Sequence, residues 1–460
     1  MQAGVDSPGL FFSPTIKPVR LRAALSAIGL AIFIQTSSSA VEVTWDDLAP
    51  LHTRLESRGV TKGSFDAYVE RVREDDARRV REGDLDHLIF YALQSTRFTR
   101  RPPIEPALSA KALIDGGNNV PANVRARLED LLKALESSST DPRLTYFRGL
   151  VHSTFPSGRE REAALAREYA RVMKFVYDKE FVAQRAGPNA VAELYHSRGL
   201  STDTEVEAGY VVYNGLGVLK SLDPAMRIRR VLIVGPGLDL APRTGYLETT
   251  APQSYQPWAV IDAVVSLGLS TTAELSVVGA DINPRVVEHL RQAAHSPPLL
   301  TMVTGIGETP AVEFAKDYTD YFARLGRSIG EVTDRTPPKE LAGHLSKAVR
   351  VRPDVARTLS AEQLDIVTGR LVGAPFDLII ATNILPYFDD TGLMLALTNI
   401  HAMLAPGGVF MHNESRPLLG ELTSAIGMPF EQSRQVTIAS VRGAPPLADT
   451  ISLHRRSRSK

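Results

Sequence analysis

One stretch near the middle of the chain decides the fold: Arg229-Arg230-Val231-Leu232-Ile233-Val234-Gly235-Pro236-Gly237-Leu238-Asp239. Its continuous apolar run, residues 231–234, predicts a strand that is buried on both faces. The two glycines that follow predict a tight turn where the backbone can approach a ligand closely, because no side chain stands in the way. We therefore expect a ligand site at the carboxyl end of this strand.

A second buried strand, residues 275–280, ends in the acidic residue Asp281. A carboxylate at this position can accept hydrogen bonds from both hydroxyl groups of a ribose. Asp281 is also consistent with a helix N-cap, since Pro284 suits the first turn of the helix that follows. Together with the glycine turn, Asp281 favours a nucleoside ligand over a purely structural role.

The alternation of strands and helices continues to the end of the chain. Residues 376–381 and 408–412 are further strand-like runs, and strands alternating with helices predict a parallel sheet covered on both faces. Residues 435–442 and 450–455 also alternate like strands, and the segment between them is too short for a crossover helix. We expect an α/β domain over residues 187–460 whose sheet ends in an antiparallel hairpin.

The first part of the chain has a different pattern. Residues 41–186 carry apolar residues at helical spacing and predict an all-α N-terminal domain. Ahead of them, basic residues precede a short apolar run at 23–34 and a small polar stretch, which is typical of a secretory signal peptide over residues 1–40. That run is too short to cross a membrane, and no other stretch is long enough, so no transmembrane span is expected.

Composition excludes several classes of function. The 52 basic and 52 acidic residues give a net charge of zero, so the chain has no bulk electrostatic reason to bind nucleic acid or an anionic membrane. It contains no cysteine, which excludes disulfides, thiolate metal sites and cysteine catalysis. The 10 histidines lack the spacing of a metal-binding motif, and no metal site is expected.

Residues 228–455 resemble the class I S-adenosylmethionine-dependent methyltransferases. The resemblance rests on the order of strand, Gly-x-Gly turn and helix, then strand, acidic residue and helix, and on the later run Leu404-Ala405-Pro406-Gly407-Gly408 with the terminal hairpin. It implies a Rossmann-like sheet, S-adenosylmethionine as cofactor, and methyl transfer to an unknown acceptor, a small molecule or a protein. An insertion at about residues 305–370 is a natural place for a substrate lid, and an extension of the core is the alternative.

Two residues of the glycine turn depart from known patterns. Asp239 stands where the methyltransferases often have a third glycine. Leu240 stands where a dinucleotide-binding turn needs glycine, which disfavours an NAD-dependent oxidoreductase.

Within the family, residues 376–389 most resemble the chemoreceptor glutamate methyltransferases, through Asn383 and Tyr387. Thr382 replaces an arginine of that subfamily, and the glycine turn does not match it. The resemblance implies that residues 383–387 face the sulfonium and the acceptor. The class I methyltransferase resemblance and this partial match together assign to the cofactor Gly235, Gly237, Asp239, Asp281, Ile282, Asn383 and Leu385.

A further set of residues is predicted to lie near the acceptor. The candidates are Tyr195, Arg198 and Tyr387, and Arg198 can clamp the methionine carboxylate through two hydrogen bonds. Glu308 and Asp365 are both open as the acid that contacts adenine. No residue is predicted as a general base, which a carboxylate acceptor does not need.

The predicted location conflicts with the predicted cofactor. A signal peptide predicts export or membrane association, whereas S-adenosylmethionine is a cytosolic metabolite. A second hypothesis is therefore a non-catalytic binding protein on a methyltransferase-like scaffold.

Overall fold

The computed structural model describes residues 40–458 except 156, 184, 186–187 and 242–245. These residues form one compact unit. The predicted signal peptide lies outside the described residues apart from Ala40. Over the described ranges, none of the helices combines the length and the apolar character that a membrane span requires.

An eight-stranded mixed sheet forms the centre of this part of the chain. Its strands, in spatial order, are β5 (Val312–Phe314), β12 (Phe430–Val441), β13 (Ala444–Arg455), β11 (Leu404–His412), β10 (Phe376–Ala381), β2 (Arg230–Val234), β3 (Ser276–Asp281) and β8 (Leu359–Gln363). The strands from β11 to β8 are parallel, and β12 and β13 form the antiparallel hairpin beside β11. The predicted α/β, Rossmann-like sheet with a terminal hairpin is confirmed.

Helices cover both faces of the sheet, as the unbroken apolar run of β2 predicts. Val231 and Ile233 point into one core, and Leu232 and Val234 point into the other. The first core is covered by α8 (Val206–Leu222), α9 (Gln256–Ser266), α10 (Pro284–His295) and α11 (Lys316–Arg324). The second is covered by α13 (Asp390–Met403) and α14 (Pro417–Ala425).

A small separate sheet takes two strands from the predicted insertion and one strand from the residues that precede it. Its antiparallel strands are β4 (Leu299–Val303), β7 (Ser346–Val351) and β6 (Gly330–Asp334). A short helix, α12 (Pro353–Ala356), then leads into β8 of the central sheet. The insertion therefore contains the third parallel strand of the fold as well as additional structure.

The first residues of the predicted helical region belong to the sheet's second core. The strand β1 (Ala40–Glu42) pairs with β9 (Gly369–Leu371). A 3-10 helix (Trp45–Leu51), α1 (His52–Glu56) and the start of α2 (Phe65–Gln94) follow, and Leu48, Leu51 and Phe65 are buried against the sheet. Residues 40–72 are thus part of the α/β unit rather than of a separate helical layer.

The remaining N-terminal helices form a layer that we call the helical cap, residues 73–197. It contains the rest of α2, α3 (Pro106–Asp115), α4 (Ala122–Glu136), α5 (Pro142–Thr154), α6 (Arg159–Tyr177) and α7 (Pro188–Ser197). Its core, with Leu88 and Phe147 at 0% exposure, also takes in Leu240 and Leu247 from beyond the glycine turn. The cap therefore packs against the carboxyl edge of the sheet.

Candidate functional site

A cavity of about 620 Å³ lies between the helical cap and the carboxyl ends of β2, β3, β8 and β10. The chain runs from β2 outward to β8 on one side, and then returns to β10 on the other. Ligands of open α/β sheets bind at this edge, where the strand order reverses. The cavity is therefore the candidate functional site.

The glycine turn after β2 forms part of the cavity wall. Gly235 and Gly237 have φ angles of 66° and 72°, in the left-handed region that favours glycine. A Cβ atom at Gly235 would lie 2.5 Å from Cγ2 of Ile384, and one at Gly237 would lie 2.5 Å from the carbonyl oxygen of Thr202. Glycine is thus required by two protein segments that pack on the turn, a reason that the sequence analysis did not foresee.

Asp281 joins the glycine turn to the end of β3. Its side chain is buried at 6% exposure, and its carboxylate accepts hydrogen bonds from the backbone N–H of Asn283 (2.8 Å) and of Gly237 (3.4 Å). The N-cap of α10 is Asn283, whose side chain accepts from the N–H of Arg285. Asp281 is therefore not the helix cap, and its carboxylate lines the cavity beside Ile282.

Burial makes the Asp281 carboxylate costly to ionise. Desolvation raises its pKa to about 6, although the two backbone N–H donors and the Arg285 charge oppose this shift. A ligand that donates hydrogen bonds to the carboxylate would stabilise its charged form.

The position of β8 distinguishes between Asp365 and Glu308, the two candidates for the acid that contacts adenine. Asp365 lies just beyond β8 and lines the cavity, whereas the Glu308 carboxylate accepts a hydrogen bond from the N–H of Phe314 (3.2 Å) and is not part of the lining. Asp76 of α2 lines the same region at 6% exposure. Burial raises the pKa of Asp76 to about 7, and the charge of Asp365 contributes to the rise.

The loop after β10 carries Asn383 in an uncommon backbone conformation, with φ at 61°. Its side-chain oxygen accepts from Nδ2 of Asn413 (2.7 Å), and its N–H donates to Oδ1 of Asn413 (2.9 Å). Asn383 lines the cavity, as predicted, but its side-chain oxygen already has a donor. Leu385 does not line it: a 3-10 turn starts at this residue and directs its side chain into the sheet's core at 1% exposure, so Ile384 and Pro386 form the wall.

A buried arginine of α2 holds the acceptor-side candidates together. Arg79 is 5% exposed, and its guanidinium donates to the carbonyl oxygens of Arg198 (3.0 Å), Tyr195 (3.0 Å) and Tyr387 (3.1 Å). Asp76 lies 3.5 Å from the same guanidinium. The sequence analysis missed Arg79 because its partners lie more than 100 positions away in the sequence.

The segment that follows Arg198 lies across the glycine turn. The Leu238 N–H donates to the Thr202 carbonyl (2.7 Å), and the Thr204 N–H donates to Oδ1 of Asp239 (2.7 Å). Burial, and then the charge of Asp203, raise the pKa of Asp239 well above its usual range. This end of the cavity therefore favours a cation or a hydrogen-bond donor as ligand.

Arg198 lines the cavity and has one buried side-chain donor without a partner in the described part of the chain. Its side chain is 11% exposed, and Nη2 lies 3.3 Å from Oδ2 of Asp86. The guanidinium carbon lies 4.2 Å from the ring centroid of Phe175. Its Nε atom is buried and has no hydrogen-bond partner among the described residues, which is unusual for a buried donor and points to an anionic ligand.

Of the predicted residues, Gly235, Gly237, Asp239, Asp281, Ile282, Asn383, Tyr195, Arg198 and Tyr387 all line this one cavity. Tyr195 and Tyr387 make an edge-to-face contact with ring centroids 5.4 Å apart. The structure thus brings the predicted residues together except for Leu385 and Glu308, which do not line the cavity.

Neither a family model nor a curated protein matches the chain. Solved structures with similarity to it include the N-methyltransferase NodS from Bradyrhizobium japonicum WM9, at 13% identity over 54% of this chain and 95% of that chain, with a TM-score of 0.26. A TehB-like SAM-dependent methyltransferase from Corynebacterium glutamicum has 12% identity over 55% of this chain and 99% of that chain, with a TM-score of 0.25.

Magnesium protoporphyrin IX methyltransferase from Synechocystis PCC 6803 has 10% identity over 61% of this chain and 94% of that chain, with a TM-score of 0.28. Likeness at this level carries no functional argument, which rests instead on the geometry of the cavity. The finer resemblance of residues 376–389 to chemoreceptor methyltransferases stays a prediction.

Proposed function

We propose that the chain transfers a methyl group from S-adenosylmethionine to an acceptor. The observation that carries the proposal is the buried Asp281 carboxylate, which lines a cavity at the sheet's carboxyl edge and contacts the glycine turn. It is free of the capping role that would otherwise explain it. A ribose diol can donate to the acceptor sites of this carboxylate that the two backbone N–H groups leave free.

The same cavity also contains residues that are complementary to the adenine and methionine groups of the cofactor. Asp365, beyond β8, suits the exocyclic amine of adenine. The unused Nε donor of Arg198 suits the methionine carboxylate. Asp239, whose pKa is raised by burial, suits the methionine ammonium group, because a neighbouring cation favours the charged carboxylate.

When bound, S-adenosylmethionine supplies a methyl group on a sulfonium, an already activated leaving group. A nucleophile of the acceptor forms the new bond to the methyl carbon as the carbon–sulfur bond breaks. The electron pair of the broken bond stays on sulfur. The chain's own task is to align the acceptor and to exclude water. Tyr195 and Tyr387, held by Arg79, form the wall that we assign to this task.

The test is a calorimetric titration of the full chain with S-adenosylhomocysteine and with 5′-methylthioadenosine, which lacks the amino-acid group. We expect micromolar binding of S-adenosylhomocysteine, and we expect Arg198→Met to weaken it about tenfold or more. The same variant should bind 5′-methylthioadenosine as the wild type does. Absence of binding to either ligand would refute the proposal, and binding without methyl transfer to any acceptor would favour the non-catalytic alternative.

A further inference from the structure

A second group of lining residues combines aromatic rings with the nitrogen-bearing side chains of Lys179 and His196. Phe175 and Tyr195 make an edge-to-face contact with centroids 6.2 Å apart, and Tyr195 contacts Tyr387 in the same manner. Lys179 and His196 line the cavity next to these rings. We call Phe175, Lys179, Tyr195 and His196 the ring-cation cluster.

Lys179 is placed there by an irregular helix. At its carboxyl end α6 continues as a π-helical segment, Asp178–Ala183, and such segments are frequent at functional sites. The Nζ atom of Lys179 lies 5.6 Å from the Tyr195 ring centroid. Lys174, on the α-helical part, pairs with Asp178 at 2.6 Å, whereas Lys179 has no ion pair within the described ranges.

His196 adds a second unsatisfied group. Its Nε2 atom is buried and makes no hydrogen bond to any described residue. A buried ring nitrogen without a partner is uncommon, and a hydrogen bond from a bound ligand would satisfy it.

Several of the cavity's carboxylates already contact polar groups away from these rings. Asp281 and Asp239 bind the glycine turn and the segment across it, Asp365 accepts from Thr368 at 2.5 Å, and Glu414 lies 3.2 Å from Arg416. At the rings themselves, Lys179 and Arg198 both lie within 5.6 Å of the Tyr195 ring centroid, and Asp86 is the carboxylate that pairs with Arg198, so cations outnumber carboxylates among these contacts.

We propose that the ring-cation cluster binds the methyl acceptor, and that this acceptor is an aromatic carboxylic acid. The rings offer an aromatic wall to a planar molecule, and Lys179 with His196 offers donors to its carboxylate. The identification of this ligand as the methyl acceptor rests on the proposed function. The predicted preference for an aromatic carboxylic acid does not depend on it.

The test is a calorimetric titration of the full chain, with and without saturating S-adenosylhomocysteine. The probes are 4-hydroxybenzoate, its neutral methyl ester and the cationic 4-hydroxybenzylamine, which share one ring. We expect the acid to bind about tenfold or more tightly than the ester or the amine, as a charged hydrogen bond implies. Lys179→Met should remove this preference and Lys179→Arg should keep it, while Lys174→Met, the matched control, should leave it unchanged.

The outcomes separate the two proposals. Binding of the acid with this preference supports the subsite, whether or not S-adenosylhomocysteine binds. Absence of S-adenosylhomocysteine binding would overturn the proposed function alone. Equal or tighter binding of the ester or the amine overturns the inference. So does the absence of binding by all three probes, or a preference that survives in a folded Lys179→Met variant.

Discussion

Replacement of Arg79 by methionine removes the contacts that join the helical cap to the loop after β10. Methionine keeps most of the side-chain volume but leaves three carbonyl oxygens without their charged donor. Breaking a buried charged network costs about 3–5 kcal/mol. Burial raises the pKa of Asp76 to about 7, so its carboxylate can take up a proton when the Arg79 guanidinium is removed. We therefore expect the free energy of unfolding to fall by an amount at the lower end of this range, about 3 kcal/mol.

Urea denaturation followed by circular dichroism measures this loss. Arg78→Met is the matched control, because Arg78 is the neighbouring residue and its pairs with Asp75 and Glu82 lie on the surface. Such exposed pairs contribute about 0–1 kcal/mol. If Arg79→Met lowers the free energy of unfolding by no more than Arg78→Met does, the assignment of Arg79 as a positioning residue is wrong.

Two further changes test the glycine turn and the Asp281 carboxylate. Gly237→Ala should destabilise the fold by about 1–2 kcal/mol or more, since φ is 72° and the new Cβ meets the Thr202 carbonyl. The control Gly217→Ala, in open space on α8, should stabilise the fold by up to about 1 kcal/mol. Equal effects of the two substitutions in thermal unfolding would contradict this prediction. Because the raised pKa of about 6 leaves Asp281 protonated at lower pH, S-adenosylhomocysteine affinity should fall between pH 7.5 and 5, and binding at pH 6 should release a proton. Calorimetry in buffers of different ionisation enthalpy measures that release, and an affinity that does not change with pH would count against the assignment.

The central sheet could be predicted because its signals are local. The apolar run 231–234, the glycine turn and the acid at the end of the next strand are each decided within a few residues. The terminal hairpin follows from the same reasoning, since a connection of that length cannot hold a crossover helix.

The third strand could not be recognised from its residues. β8 reads Leu359-Ser360-Ala361-Glu362-Gln363 and lacks the apolar run of β2, because it lies at the edge of the sheet. The choice between Glu308 and Asp365 depended on that strand, and only the three-dimensional register decides it. The side-chain direction of Leu385 likewise depends on a 3-10 turn that the residue pattern does not predict.

The roof of the cavity was the least predictable part. α2 has mixed charges that are typical of a solvated helix, yet Asp76 and Arg79 are buried in the finished fold. Their burial follows from the packing of α2 across the sheet's carboxyl edge, a long-range contact that local sequence does not encode.

The central claim is that Asp281 anchors the ribose of S-adenosylmethionine, and one titration tests it most directly. Wild type, Asp281→Ala and the exposed-site control Asp354→Ala are titrated with S-adenosylhomocysteine by calorimetry. We predict micromolar binding by the wild type and the control, and a loss of about 1.5–3 kcal/mol in the Asp281 variant, as expected for hydrogen bonds to a charged group. A folded Asp281→Ala variant with wild-type affinity, or a wild type that does not bind, would contradict the account.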